Sequence, residues 1–501
     1  MTETRFSLID EPWIPIADVG RVSLKQLFTN PSYRALGGNP VQKIALTKLL
    51  LAIAQAAYTP ADENAWATLG AAGMAEKCLA YLEQWRDSFD LYGDKPFLQM
   101  PAIKAASVQP YGAVFAEIST GNTTVLTQSQ VEKTLSDAEK AVLIVVLMGF
   151  GLGGKKTDNS VVLSAGYSGK TNDKGKPATG RPGSSLGFMG FMHNFLLGGN
   201  LWQTLWLNVF SQDQINSLPY ADGLGIAPWE TMPDGENCPT AKHLQNSLMG
   251  RLLPLSRFCL LADTGLHYSE GIAHLGYKDG LLDPSVSADF SGKDPKAIWV
   301  DPEKRPWRFL TALLGFLSQN GSQGFDCYQL RLGLGRARDR TDTLGIWSGG
   351  LRVSSNAGEQ YTGGSDDFVE SALMLPQEDF GEMWFSNLQL EMAELDQLSK
   401  IVYSATLNYF KSQKAEGKKQ AAMASHLYWQ LCERQFQTLV NACADGNQAK
   451  AIRKTFAQFA QKSYDSFCPN HSARQLTAWA GNLPKLGSYL KDANQPEQAK
   501  A

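Results

Sequence analysis

LQLEMAELDQLSKIV, Leu388–Val402, places apolar residues at Leu388, Met392, Leu395, Leu398 and Val402, steps of 4, 3, 3 and 4. That spacing returns to one face of a helix every turn and predicts an amphipathic helix. Three more segments follow the same rule. Met423, Leu427 and Leu431 mark one, Ile452, Phe456 and Phe459 the next, and Leu476, Leu483, Leu486 and Leu490 the last. Gly417, Asp445-Gly446 and Pro469-Asn470 fall between them as joints. Four apolar stripes with short joints predict a four-helix bundle over residues 380–501.

Upstream, residues 1–379 read as a large mixed domain, so the fold class is α+β. Ser7-Leu8-Ile9, Trp13–Ile16 and Val19–Val22 read as short opening strands. Asn39-Pro40 opens a helix through Ala57, with Ile44, Leu46, Leu50, Leu51 and Ile53 on its apolar side. A second helix is predicted over Ala75–Phe89. Ser136-Asp137-Ala138-Glu139 is a capping box ahead of the run AVLIVV and predicts a helix to about Met148, although the run alone would suit a strand. Ala297–Val300 looks strand-like, and Trp307–Leu317 helical.

The chain's 501 residues, 43% hydrophobic and 19% charged, describe a globular protein with a sizeable core. The net charge of −3 excludes a body coated in basic surface and leaves room for a local basic patch. Cys78, Cys238, Cys259, Cys327, Cys432, Cys443 and Cys468 are widely spaced and odd in number, which argues against a disulfide framework or a clustered metal site. A reducing cytoplasm is the expected location. The opening residues carry no basic stretch followed by an apolar run, so no secretory signal is expected. The longest apolar run, Ala141–Met148, is eight residues, against the roughly 20 a membrane span needs.

Gly149–Lys156 matches G-x-x-x-x-G-K and then has Lys156 where a phosphate loop needs Ser or Thr for magnesium. Cys259–Asp263 is the accompanying acid candidate. His193, His243, His267, His274, His426 and His471 form no ligand pattern, and Cys327 has no evident base. No catalytic residue, metal or cofactor is expected. Between Gly149 and Gly190, six basic residues stand against two acidic ones: Lys155, Lys156, Lys170, Lys174, Lys176 and Arg181 against Asp158 and Asp173. Glycines let backbone approach phosphate, and lysines add affinity without sequence reading. A solvated loop is the alternative. Arg331, Arg336, Arg338 and Arg340 suit phosphate or internal ion pairs, the latter preferred. Gly349–Gly358 is a small polar turn; such a turn can enter a minor groove or wedge a base step, and by its residues alone it is simply a turn.

Several of these segments together resemble the CasA family, the large subunit of the type I-E CRISPR Cascade complex. Leu8-Ile9-Asp10-Glu11-Pro12-Trp13-Ile14-Pro15, Pro96-Phe97-Leu98-Gln99, Asp301–Arg308 and the Gly349–Gly358 turn carry the resemblance, as does the order of a mixed domain and a terminal bundle. The resemblance implies recognition of a protospacer-adjacent motif on target double-stranded DNA and help in opening the duplex for R-loop formation. It also implies partners: guide RNA, the backbone, small and guide-end-binding Cascade subunits, and a helicase-nuclease effector. It implies no cutting by this chain, no membrane, and no zinc, since Cys259 stands alone.

By the same resemblance, the glycine loop falls at Gly151, Gly153, Gly154, Lys155 and Lys156, with Gly166 or Gly169 and Lys170 as the other placement. The minor-groove wedge falls at Ser354, Ser355 and Asn356, beside Arg352, where some members carry glutamine at the tip. The lysine finger is Lys278, Lys293 or Lys296, with Lys278 preferred. The loop touching the guide's end covers Asn122, Thr124, Val125, Leu126 and Thr127. An NTPase built on Gly149–Lys156 and a scaffold that never touches DNA are the alternatives.

Overall fold

The computed structural model describes residues 5–116, 134–152, 157–165, 183–317, 324–337, 340–353, 368–376 and 378–491. These fall into two compact units. One comprises Met1–Pro306 and Gln323–Ala372; the other comprises Trp307–Ser322 and Leu373–Ala501.

The first unit is mixed α and β with small sheets. Ile14–Ile16 and Gly20–Val22 pair antiparallel, while Ser7 makes only an isolated bridge to Asp90. The helix Pro40–Ala57 starts where Asn39 accepts from the Gln42 amide and Gln42 returns the bond, with Pro40 in the first turn. It is buried almost all round, at Lys48 as well as at the leucines. The next helix, Glu63–Gln84, begins 12 residues before the predicted Ala75, capped by Asp62 and kinked at Gly70 (φ 61°). Its glycine- and alanine-rich first half carries little apolar periodicity and was invisible to that criterion. Trp66 there stacks on Trp206 at 4.1 Å, and each indole N–H donates to the other's carbonyl.

AVLIVV is helical, within Asp137–Gly149, because Ser136 and Glu139 complete the capping box. The helix is buried from Ala141 to Gly149. Two three-stranded sheets follow. One orders Phe368–Met374, Gly345–Leu351 and His193–Leu197; the other orders Val108–Gln109, Gly265–Glu270 and Arg257–Ala262. Gln99 ties the second sheet to the chain before it: its amide donates to the Leu91 carbonyl and its oxygen accepts from the Leu261 N–H. Of Ala297–Val300, only Ala297 belongs to a strand, Lys296–Ala297 paired with Ala288–Asp289.

The second unit is a helical bundle of Glu382–Ser412, Lys418–Ala442, Gly446–Phe467 and a broken fourth segment. Pro484 separates Ala473–Gly481 from Gly487–Lys491, and Leu476 and Leu483 are half exposed. The second helix buries Ala421, Ala424, Tyr428, Leu431, Cys432, Phe436 and Leu439, which leaves Met423 half exposed. Small and aromatic residues carry most of that seam, so of the predicted stripe only Leu431 is buried. Trp307–Leu317 is broken into three short turns, the first of them Pro306–Phe309. Trp307 packs 4.3 Å from Phe436, and the Arg308 guanidinium lies 3.8 Å over Trp429.

In the bundle interior Glu391 of the first helix receives Arg453 of the third. Nε and Nη2 both donate to the carboxylate, the shortest contact 2.7 Å, and both side chains are 3% exposed. Removing one partner strands a charge out of water, whereas removing both does not. Arg453→Met is expected to cost about 3–5 kcal/mol in denaturant unfolding. Adding Glu391→Leu to Arg453→Met should recover most of that loss; an undiminished loss in the double variant would contradict this account.

Candidate nucleic-acid interface

The glycine-rich segment leaves the helix Asp137–Gly149 and returns to the same place. The Gly187 amide donates to the Gly149 carbonyl, and the Arg257 guanidinium to the Leu152 carbonyl. The stem is tight. A Cβ on Gly149 would meet Leu186 at 2.4 Å, and one on Gly183 would meet the His274 backbone at 2.4 Å. Between the ends, 157–165 is pinned as a strap. The buried Glu236 carboxylate accepts from the amides of Leu163 and Ser164. Asp158 accepts from the amides and hydroxyls of Ser160 and Ser107, which hold its carboxyl well below the usual range.

Gly151 is buried, and a Cβ there would meet Arg257 Cγ at 2.7 Å and Ser256 Oγ at 2.8 Å. Arg257 packing across position 151 is by itself a reason for glycine there. Gly153, Gly154, Lys155, Lys156, Gly169 and Lys170 lie outside the described residues, as do Ser354, Ser355 and Asn356 and the Asn122–Thr127 loop.

What the described residues bring together is the roots of three predicted contacts. The short turn Phe188–Gly190 follows the returning glycine segment, and Gly190 (φ 80°) lies against the Leu351–Val353 end of the strand leading to the wedge. A Cβ on Gly190 would sit 3.1 Å from the Leu351 oxygen. Next to it, Phe191 contacts Tyr277 at 5.9 Å between ring centres and stacks on Trp299 at 5.3 Å. Tyr277 begins the turn that presents Lys278, which is exposed. Asp279 accepts from the Gly276 amide, and Gly280 (φ 83°) closes the turn. Arg352 is half-buried at the root of the wedge segment. Lys293 and Lys296 are also exposed, on the hairpin that packs against the Phe191 cluster.

Beneath these roots runs a buried polar chain that sequence reading missed. Lys48 Nζ donates to Asp283 Oδ1 at 2.6 Å, and both side chains are buried. The Ser285 amide donates to the same carboxylate at 2.9 Å. The Ser285 hydroxyl lies 2.8 Å from His193 Nδ1, and His193 Nε2 lies 2.7 Å from the Leu186 carbonyl. That carbonyl only accepts, so the ring's Nε2 carries a proton and donates to it. The chain thus runs from the helix Pro40–Ala57 to the foot of the glycine segment.

Of the described arginines in 331–340, Arg336 turns inward, while Arg331 and Arg340 are exposed. Arg331 donates to Asp326 at 2.9 Å. Arg336 is buried, donates to Gln214 and to the carbonyls of Leu207 and Val209, and lies 4.3 Å over Trp66. An NTPase site also loses its parts. Gly149–Lys156 follows a helix where a phosphate loop follows a strand. Asp263 sits in the turn closing the hairpin of Arg257–Ala262 and Gly265–Glu270. Six strand residues at about 3.3 Å each carry it about 20 Å from Arg257, which packs on Gly151. Cys327 is buried against the Pro284 carbonyl, and burial pushes its thiol up to about 12. His267 and His274 each bond a backbone carbonyl, and no cluster of metal-ligating side chains exists among the described residues. Nor is any helix among them long and apolar enough to cross a membrane.

The family model for CRISPR-associated protein Cse1 matches residues 7–464. A CRISPR-associated protein CasA/Cse1 of Thermus thermophilus is 27% identical over 336 residues, 62% of this chain and 60% of that relative's length. The crystal structure of Thermobifida fusca Cse1 has the same fold, with a TM-score of 0.73 at 18% identity, over 97% of this chain and 98% of that one. A chain of a CRISPR RNA-guided surveillance complex matches with a TM-score of 0.69 at 16% identity, over 95% of this chain and 98% of that one.

The polar chain has a measurable acid response. Burial pushes the His193 imidazole down to about 4 and that of His274 down to about 3. Both are neutral when folded near pH 7 and gain protons on unfolding once the pH falls below about 6.5. Stability is therefore fully present above pH 6.5 and is lost as the pH falls toward 4. His193 alone accounts for about 2 kcal/mol of loss at pH 5. Urea midpoints at pH 7 and pH 5 should show this drop, smaller in His193→Gln. An equal drop in wild type and variant would remove His193 from the account.

Proposed function

Because this chain belongs to the CRISPR-associated Cse1 family, we propose that it is the large subunit of an RNA-guided surveillance complex and reads the protospacer-adjacent motif of target duplex DNA. The observation that carries this reading is the meeting of three roots around Phe188–Phe191: the glycine segment, the Lys278 turn and the wedge hairpin. Contacts that must act on one short stretch of duplex need a common base, and rigid roots under variable loops are the usual way to supply one.

In this reading the protein positions duplex and base pairing with guide RNA reads the rest of the target. Lys155, Lys156 and Lys170 hold phosphates, and Lys278 reaches the minor groove, whose pattern separates mainly A·T from G·C. Ser354, Ser355 and Asn356 part a base step, an opening that costs a few kcal/mol and is offset by phosphate contacts. Asn122–Thr127 touches the guide's end and neighbouring subunits. The chain itself cuts nothing; it recruits a helicase-nuclease.

Duplex binding by the reconstituted complex, with and without this chain, across a randomised flanking motif tests the reading. Motif-dependent binding is expected only with the chain present. Lys155→Ala should weaken binding to all sequences and lower its salt dependence by about one phosphate's worth, while Ser355→Ala should change motif choice. Identical binding and motif choice without the chain would leave it a scaffold.

A further inference from the structure

We propose that the end of the bundle where its first helix turns into its second is a phosphate-contacting surface for nucleic acid, independent of the motif-reading loops. The sequence there, KSQKAEGKK (411–419), sets four lysines against Glu416 within a chain of net charge −3. The geometry gathers them. The first helix ends at Ser412, and Lys414 adopts a left-handed backbone (φ 60°). The Ala415 amide donates back to the Phe410 carbonyl. A Cβ on Gly417 would meet that of Phe410 at 2.5 Å, so the chain turns as tightly as glycine allows, and Lys418 opens the next helix at once. Lys411, Lys414, Lys418 and Lys419 thus share one turn.

A fifth cation joins from the last segment. Arg474 donates to the Gln413 carbonyl, and Tyr409 ties the same end together by donating to the Pro469 carbonyl. All five side chains are exposed, and none takes part in an ion pair among the described residues. The second helix also begins with no side-chain cap, leaving its first N–H groups open. Lys418 and Lys419 stand at the positive end of its dipole, where cations oppose the helix and an arriving anion relieves both.

The composition selects the partner. Protein interfaces are built on buried aromatic and apolar anchors and are poor in lysine. Residues 411–419 offer no apolar side chain larger than Ala415. Clustered lysines without anchors suit a phosphate backbone, which needs charge and no sequence reading.

The test is a salt titration of the full chain on a labelled 30-base-pair duplex of arbitrary sequence. The wild-type chain is compared with K411Q/K414Q/K418Q/K419Q and with the all-arginine counterpart at the same positions. The glutamine variant should bind at least tenfold more weakly at low salt, and its log–log salt slope should fall by about two to four, near 0.9 for each phosphate no longer neutralised. The arginine variant should keep the wild-type slope. Because the positions are exposed, far-UV circular dichroism and melting should match wild type in both. Motif choice in the assembled complex should be unchanged, which separates this surface from the loops. An unchanged slope in the glutamine variant, or no duplex binding by the wild-type chain at 50 mM salt, overturns the proposal. So does loss of affinity for poly-glutamate alone, which would assign the surface to an acidic protein.

Discussion

A lysine and an aspartate out of contact with water hold the first unit in register. Lys48 and Asp283 meet at 2.6 Å inside the mixed domain. Taking both out of water is expensive, and only close contact and further hydrogen bonds offset it. Burial raises the Asp283 carboxyl, but Lys48 foremost, with His193 and the Ser285 amide, more than compensates and keeps it below the usual carboxylate range. An arrangement of this kind tolerates one geometry, since a shifted partner leaves a bare charge. Ser285 and His193 extend it to the Leu186 carbonyl, where the glycine segment re-enters the core. The glycine segment therefore re-enters the domain at a carbonyl held by this buried polar chain.

That division explains what could be read from sequence. Capping boxes and stripes are local, and Asn39, Ser136 and the Leu388–Val402 spacing marked their helices correctly. The polar chain joins residues 48, 186, 193, 283 and 285, each ordinary by itself. Its one local sign was a lysine in LTKLLLAI, a stretch apolar on every side, where no solvent-facing position exists for a charge. Arg453 hid similarly in the bundle seam beside Phe456.

The glycine segment stood out by composition, yet composition alone did not separate glycines for packing from glycines for ligand. Gly149, Gly151, Gly183 and Gly187 all serve close packing of the stem. Backbone approach to Leu186, Arg257, His274 and Phe150 is a tertiary fact, absent from any window of sequence. The arginines of 331–340 teach the same lesson. Arg336 is buried against Gln214, two backbone carbonyls and the Trp66 face, and nothing in RLGLGRARDR distinguishes it from the exposed Arg331.

Trp307 belongs to the bundle but precedes it by a long stretch of chain. Its ring neighbours Trp429 and Phe436, and Arg308 covers Trp429. On the ribosome, Trp307 emerges some 120 residues before Trp429, a delay of roughly 6 to 25 seconds at ordinary rates of synthesis. Throughout that interval the indole lacks the two aromatic rings it packs against. Vectorial synthesis thus imposes a waiting period on this segment, during which holding chaperones compete with wrong contacts.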